Sequence, residues 1–147
     1  MNETGVRVVT TDAEREDAFA VRRDVFVEEQ GVDEELEYDE YDEPGADATH
    51  FVAYDDGEIV GAARLREADP GVGKVERVVV AERRRGEDWG KRVMEAVEAT
   101  AREQGYEKLK LHAQTRVEGF YESLNYESVG EEFVEADIPH VEMRKPL

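Results

Sequence analysis

Val78-Val79-Val80-Ala81-Glu82-Arg83-Arg84-Arg85-Gly86-Glu87-Asp88-Trp89-Gly90-Lys91 reads as the end of a buried strand, a basic glycine-containing turn and the first turn of a helix. Three consecutive β-branched residues favour an extended segment. Beyond the turn, Trp89, Val93, Val97 and Ala101 recur every fourth residue with Met94 beside them, while Lys91, Arg92, Glu95, Glu98 and Arg102 fall largely on other faces. That pattern is an amphipathic helix. A turn that delivers free backbone N–H groups to a helix N-terminus suits a phosphate or pyrophosphate. Arg83, Arg84 and Arg85 add positive charge there. The turn lacks the Lys-Ser/Thr ending of a P-loop and the Gly-x-Gly-x-x-Gly run of a dinucleotide fold, which argues against both.

Working outward, residues 6–10 read as a first strand. Thr11 or Asp12 is placed to cap a helix running through Ala18, Phe19 and Phe26. Residues 31–48 are rich in Asp, Glu and Gly with little apolar periodicity; such a stretch is either a functional lid or a solvated acidic loop. Residues 51–54 and 59–66 flank the turn Asp55-Asp56-Gly57-Glu58, a hairpin signal. Gly71-Val72-Gly73 leads into a strand over 75–80. Gly105 stops the amphipathic helix, 109–111 is a short strand, 116–124 a second helix, and 126–133 with 140–144 a closing hairpin. The order is β-α-β-β-β-α-β-α-β-β, with no repeat, low-complexity tract or domain boundary.

Arg85-Gly86-Glu87-Asp88-Trp89-Gly90 resembles the Arg/Gln-x-x-Gly-x-Gly/Ala signature that follows a Val-x-Val strand in the GNAT acetyltransferases, with Asp88 in place of the first signature glycine. Phe120-Tyr121-Glu122-Ser123-Leu124-Asn125-Tyr126 resembles the same superfamily's Phe-Tyr-x-x-x-Gly-Phe motif. Asn125 replaces the glycine, and both residue types tolerate the left-handed conformation that ends a helix. Val21-Arg22-Arg23-Asp24-Val25-Phe26-Val27-Glu28-Glu29-Gln30, Val129-Gly130-Glu131-Glu132-Phe133 and Ile138-Pro139-His140-Val141-Glu142-Met143 resemble the ElaA-like subgroup. The resemblance implies an α+β chain with the GNAT acyl-CoA N-acyltransferase fold. That fold is a mixed central sheet, splayed at the cofactor site between the segments 75–80 and 109–111, with helices on both faces. It would occupy residues 1–147 as one domain.

The resemblance further implies acetyl-CoA as co-substrate and a primary amine, small-molecule or peptidyl, as acceptor, by direct attack without a covalent enzyme intermediate. The pyrophosphate would rest on Arg85, Gly86, Glu87, Asp88, Trp89, Gly90 and Lys91. Val78, Val79 and Val80 would line the strand whose backbone N–H meets the acetyl oxygen, and Gln114 would meet the pantetheine arm. Tyr121 aligns with the family's general acid; a phenol with a pKa near 10 is protonated at neutral pH and can donate to a leaving thiolate. An acceptor amine must first lose a proton. By alternation Glu76 faces the same side as Val78 and Val80; it is either a base, directly or through water, or a charged residue paired with an arginine. Glu29 and His140, in the subgroup motifs, are further candidates at the acceptor. Arg22 and His50 either shape the acceptor pocket or make structural hydrogen bonds. Asp88 leaves open an acyl-CoA-binding regulatory module without turnover.

The chain of 147 residues is long enough for one full hydrophobic core. Its 38 acidic against 19 basic residues, net −19, disfavour nucleic acid and anionic membranes as partners. Many acids with few lysines resemble the proteome of a salt-accumulating halophile. There are no cysteines, which excludes disulfides, thiolate catalysis and Cys-based zinc sites. His50, His112 and His140 lie far apart in sequence, so no metal site is expected. No apolar run approaches the roughly 20 residues of a membrane span. No charged segment followed by an apolar one opens the chain; a cytoplasmic location is expected. Nothing fixes the oligomeric state, and a homodimer is compatible with the sequence.

Overall fold

The computed structural model describes residues 3–147. After β1 (Gly5–Val8) comes α1 (Asp12–Arg22), which continues as a π-helical segment over Arg23–Glu29. The acidic stretch holds a one-turn α2 (Glu34–Glu37) and a 3₁₀ turn (Glu40–Asp42). Then follow β2 (Thr49–Asp55), β3 (Glu58–Asp69), β4 (Val72–Val80), α3 (Trp89–Glu103), β5 (Lys108–Gln114), α4 (Glu118–Ser123), β6 (Glu127–Glu135) and β7 (Ile138–Pro146). The seven strands form one sheet ordered β1-β2-β3-β4-β5-β7-β6. Neighbours run antiparallel except β4 and β5, which run parallel. α1 packs on one face over Val52, Ala62 and Val79; α3 packs on the other over Phe51, Leu65, Val75 and Leu111.

Local chemistry accounts for the joints. The Thr11 side chain accepts from Glu14 N–H while Glu14 reaches back to Thr11 N–H, a capping box. Asp56 and Gly57 both have positive φ, and so do Ala136 and Asp137, as the tight turns of β2–β3 and β6–β7 require. Trp89, Val93, Met94, Val97 and Ala101 are all buried, the face read from their spacing. Asn125, at φ +74°, ends α4 in the left-handed conformation.

Two expectations need correction. The first is the face of Glu76. One residue of β3, Ala63, lies opposite two of β4, because Ala62 pairs with Val79 and Arg64 with Glu76. Arg77 absorbs the extra residue at φ +59°. This bulge reverses the alternation: Glu76 meets Arg64 on the α1 side, whereas Val78 and Val80 pack into the α3-side core.

The second is the acidic stretch, read as either a lid or a solvated loop: much of it is exposed, but two of its carboxylates are not solvated. Glu37 and Asp42 are buried and bind the buried Arg22, with Glu37 2.8 Å from Nε and Asp42 2.7 Å from Nη1. Arg64 joins Asp39 at 2.6 Å, Asp42 at 3.0 Å and Glu76 at 2.8 Å. Arg77 holds the Glu37 carbonyl at 3.0 Å. One ionic network thus ties α1, the acidic stretch, β3 and β4 together.

The net charge of −19 predicts a salt requirement. Melting temperature should climb steeply from dilute buffer to molar KCl, where the Debye length falls to about 3 Å. A flat profile would show that self-repulsion does not oppose this fold.

Candidate functional site

β4 and β5 pair only over residues 72–75 and 108–111. Beyond Val75 and Leu111 they diverge, leaving a cleft of about 740 Å³. The expected strand 109–111 is thus paired with β4 rather than splayed from it; β5 runs on to Gln114, and the splay lies along that extension. Val78, Val79 and Val80 line one wall, and His112 and Gln114 the other. Arg85, Gly86, Asp88, Trp89, Gly90 and Lys91 form one mouth; Phe120 and Tyr121 lie below it. Phe26, Val32, Leu36, Glu135 and His140 enclose the α1 side.

The mouth presents a helix N-terminus that no side chain caps. Asp88 occupies the cap position of α3 with φ +67° and makes no cap hydrogen bond. It takes up the left-handed geometry glycine would adopt, and the first N–H groups of α3 stay available to an external anion. Gly90 suits a close approach: a Cβ there would lie 3.0 Å from the Phe120 ring, which would have to give by a few tenths of an ångström. Phe120 in turn packs edge-on to Tyr121, ring centres 5.0 Å apart.

The arginine cluster is already engaged. Arg83 meets Glu58 at 2.9 Å, and Arg84 binds Asp55, Glu58 and Glu87. Arg85 forms a two-point pair with Glu29 at 2.6 and 2.8 Å. Arg83–Arg85 therefore do not neutralise Asp88. Among the described residues, Lys91 and Arg116 line the cleft without an ion pair, so they are the cations free for a ligand. Glu87 faces Arg84 and is not part of the cleft lining.

Tyr121 is 7% exposed. Burial pushes its hydroxyl pKa up, so it stays protonated. Among the described residues nothing hydrogen-bonds that hydroxyl, and Tyr121 lines the cleft. Glu76 is unlike a free base. Burial alone would raise its carboxyl, but hydrogen bonds from Arg66 and Arg64, with Lys74 nearby, pull it down to about 2. The paired alternative is the one observed.

Of the acceptor-side candidates, only His140 reaches the cleft wall. Arg22 is 0% exposed within the ionic network. His50 is buried, its Nε2 3.1 Å from the Tyr41 carbonyl oxygen. Glu29 is taken by Arg85. Gln114 lies on the wall, its Nε2 donating to Gln30 Oε1 at 2.8 Å. The sequence reading missed Leu36, Arg77, His112, Glu135 and Arg116 as cleft residues; only Arg116, a lone cation just before the aromatic motif, carried a signal. No helix among the described residues is long and apolar enough to cross a membrane.

Residues 9–147 match a family model described as "Acetyltransferase (GNAT) domain". A Bacillus subtilis (strain 168) protein is 41% identical over 140 residues, 95% of each chain. A second relative from that organism, named an uncharacterized N-acetyltransferase, YjcF, is 39% identical over 139 residues, 94% of this chain and 96% of its own. The crystal structure of Escherichia coli ElaA superposes with a TM-score of 0.85 at 26% identity, covering 97% of this chain and 99% of that one. An acyl-CoA N-acyltransferase from Pseudomonas aeruginosa superposes with a TM-score of 0.83 at 26% identity, with the same coverage.

Proposed function

The chain belongs to the GNAT acetyltransferase family, and we propose that it acts, as one domain, by moving the acetyl group of acetyl-CoA to a primary amine in a single direct step. The observation that carries this reading is the splay between β4 and β5, with an uncapped helix N-terminus at one end and Tyr121 on its wall. The α3 amides and Lys91 suit the pyrophosphate. The unpaired edge of β4 offers backbone N–H groups to the acetyl oxygen, which gains charge as the amine attacks. Tyr121 supplies the proton that the leaving thiolate needs. A cytoplasmic, salt-adapted setting fits the acidic composition.

Isothermal titration with acetyl-CoA and a thiol-release assay over a panel of amines, both in molar KCl, test the reading. Binding accompanied by amine-dependent thiol release supports it. Binding without release from any amine would make the protein an acyl-CoA-binding module, and no binding at any salt concentration would refute both.

Asp88 gives a sharper expectation. Two unit charges 4 Å apart interact by about 4 kcal/mol at an effective dielectric near 20, and exposure of Asp88 reduces that. Asp88→Gly should tighten acetyl-CoA binding about tenfold in dilute buffer, roughly 1.4 kcal/mol, with the gain shrinking as KCl rises. Stability should hold or rise slightly, because no cap hydrogen bond is lost and φ +67° suits glycine. Weaker binding in the variant would show that the carboxylate serves the site.

A further inference from the structure

With Glu76 held by cations, the group that deprotonates the acceptor must lie elsewhere on the cleft wall. His140 Nδ1 is 2.7 Å from the Ile138 carbonyl oxygen. A carbonyl only accepts, so Nδ1 carries the proton and Nε2 of the neutral ring is a lone pair. Nε2 faces Glu135 Oε2 at 3.8 Å. The other Glu135 oxygen is taken by His112 Nδ1 at 3.2 Å. With the ring in its neutral form, two acceptors face one another at a separation that a nitrogen donor can bridge. Phe133 lies roughly parallel to the His140 ring, centres 6.0 Å apart at 23°.

The charges around this pair are few. Gln114 of β5 pairs with His140 across the sheet. Glu142 of β7 approaches His112 Nε2 at 3.6 Å. The His112 hydrogen bond draws the Glu135 carboxyl down against its burial, helped by the charges of His112, His140 and, least, Lys74 of β4. The other carboxylates on the α1 side of the cleft, Glu37, Asp39 and Glu76, are each bound by arginine. Among the described residues on that wall, Glu135 alone has only histidines as hydrogen-bonded or ion-pair partners, so it keeps a negative charge to offer a ligand.

We infer that the acceptor is a cationic primary amine whose ammonium lodges between Glu135 Oε2 and His140 Nε2, and that His140 is the base that removes its proton. This rests on the transferase reading above. The ammonium proton passes to Nε2, leaving a neutral amine and an imidazolium whose charge Glu135 offsets. The amine nitrogen forms its bond to the acetyl carbon and the carbon–sulfur bond breaks. Tyr121 protonates the thiolate and recovers a proton from the new amide nitrogen. The imidazolium releases its proton to solvent, so each turnover yields one amide, one thiol and one proton.

The test is the pH dependence of kcat/KM for an alkylamine between pH 7 and 9. In the unaltered protein the rate should be nearly flat there, because the ammonium form, dominant below a pKa of about 10.4, is itself the species that binds. His140→Gln must wait for the rare neutral amine. Its kcat/KM should be about 10²–10⁴-fold lower at pH 7 and should rise about tenfold per pH unit. Glu135→Gln should chiefly raise KM for the alkylamine. A loss in His140→Gln that is equal at every pH would overturn the base role, as would a tenfold-per-unit rise in the unaltered protein. If His140→Gln does not fold, imidazole ¹⁵N spectra of the unaltered protein decide: a proton on Nδ1 and a shift of Nε2 on adding alkylammonium support the assignment, and a proton on Nε2 overturns it. Failure of the unaltered protein to acetylate any amine would refute the transferase reading itself, an outcome distinct from either pH pattern.

Discussion

Tyr121→Phe is expected to lower kcat about 10²–10⁴-fold while leaving the Kd for acetyl-CoA nearly unchanged. The hydroxyl has no hydrogen-bond partner among the described residues, so its removal orphans nothing. The ring keeps its edge contacts with Phe120 at 5.0 Å and Tyr126 at 5.9 Å, so melting temperature should stay within a degree or two, roughly the scatter of neutral substitutions. Kinetics under conditions where chemistry limits turnover, paired with a binding isotherm, separate the effects. An unaltered kcat would make Tyr121 a packing residue.

Arg64→Met should cost about 3–5 kcal/mol of stability, read from urea unfolding. Arg64 is 0% exposed and is the shared partner of Asp39, Asp42 and Glu76. Without it, Asp42 and Glu76 keep buried charge with fewer partners, and that desolvation is the larger part of the loss. A cost below about 1 kcal/mol would show that the network is no stronger than a surface pair. The same network sets the response to acid. Burial would raise the Asp42 carboxyl, but Arg22 and Arg64 hold it down to about 2, and Glu76 also lies at about 2. Carboxyls depressed by folding stabilise the protein above their unfolded pKa values, near 4. That stability should drain away as pH falls from about 4.5 toward 2. Glu37, raised because its burial outweighs its arginines, works in the opposite direction and narrows the loss.

The strands, the amphipathic helix and the uncapped turn were legible because each rests on local pattern. Val93 and Val97 show their face by spacing alone, and Asn125 ends its helix through its own tolerance of positive φ. The bulge was not legible. Arg77 is not a residue type that announces φ +59°, and one inserted position moved Glu76 to the other face. Nor does composition say where a carboxylate ends up: residues 31–48 read as either a lid or a solvated loop, and nothing in them marked Glu37 and Asp42 as buried opposite Arg22, whose own burial no periodicity revealed. The basic run Arg83–Arg85 was misleading for the same reason. Its charge is spent on Asp55, Glu58, Glu87 and Glu29, each a partner distant or unremarkable in sequence. Glu135 and His112 became candidates only once β5, β6 and β7 lay side by side.

The parting of β4 from β5 after Val75 also bears on amide hydrogen exchange. In most sheets the central strands hold the slowest-exchanging amides, because both their edges are paired and buried. Here β4 beyond Val75 has no partner on its β5 edge, leaving an open seam between two halves, β1–β4 and β5–β7, joined by a ladder of four residue pairs. Deuterium should therefore enter the middle of this sheet ahead of its flanks on β2 and β3, and a ligand filling the seam should reverse that order.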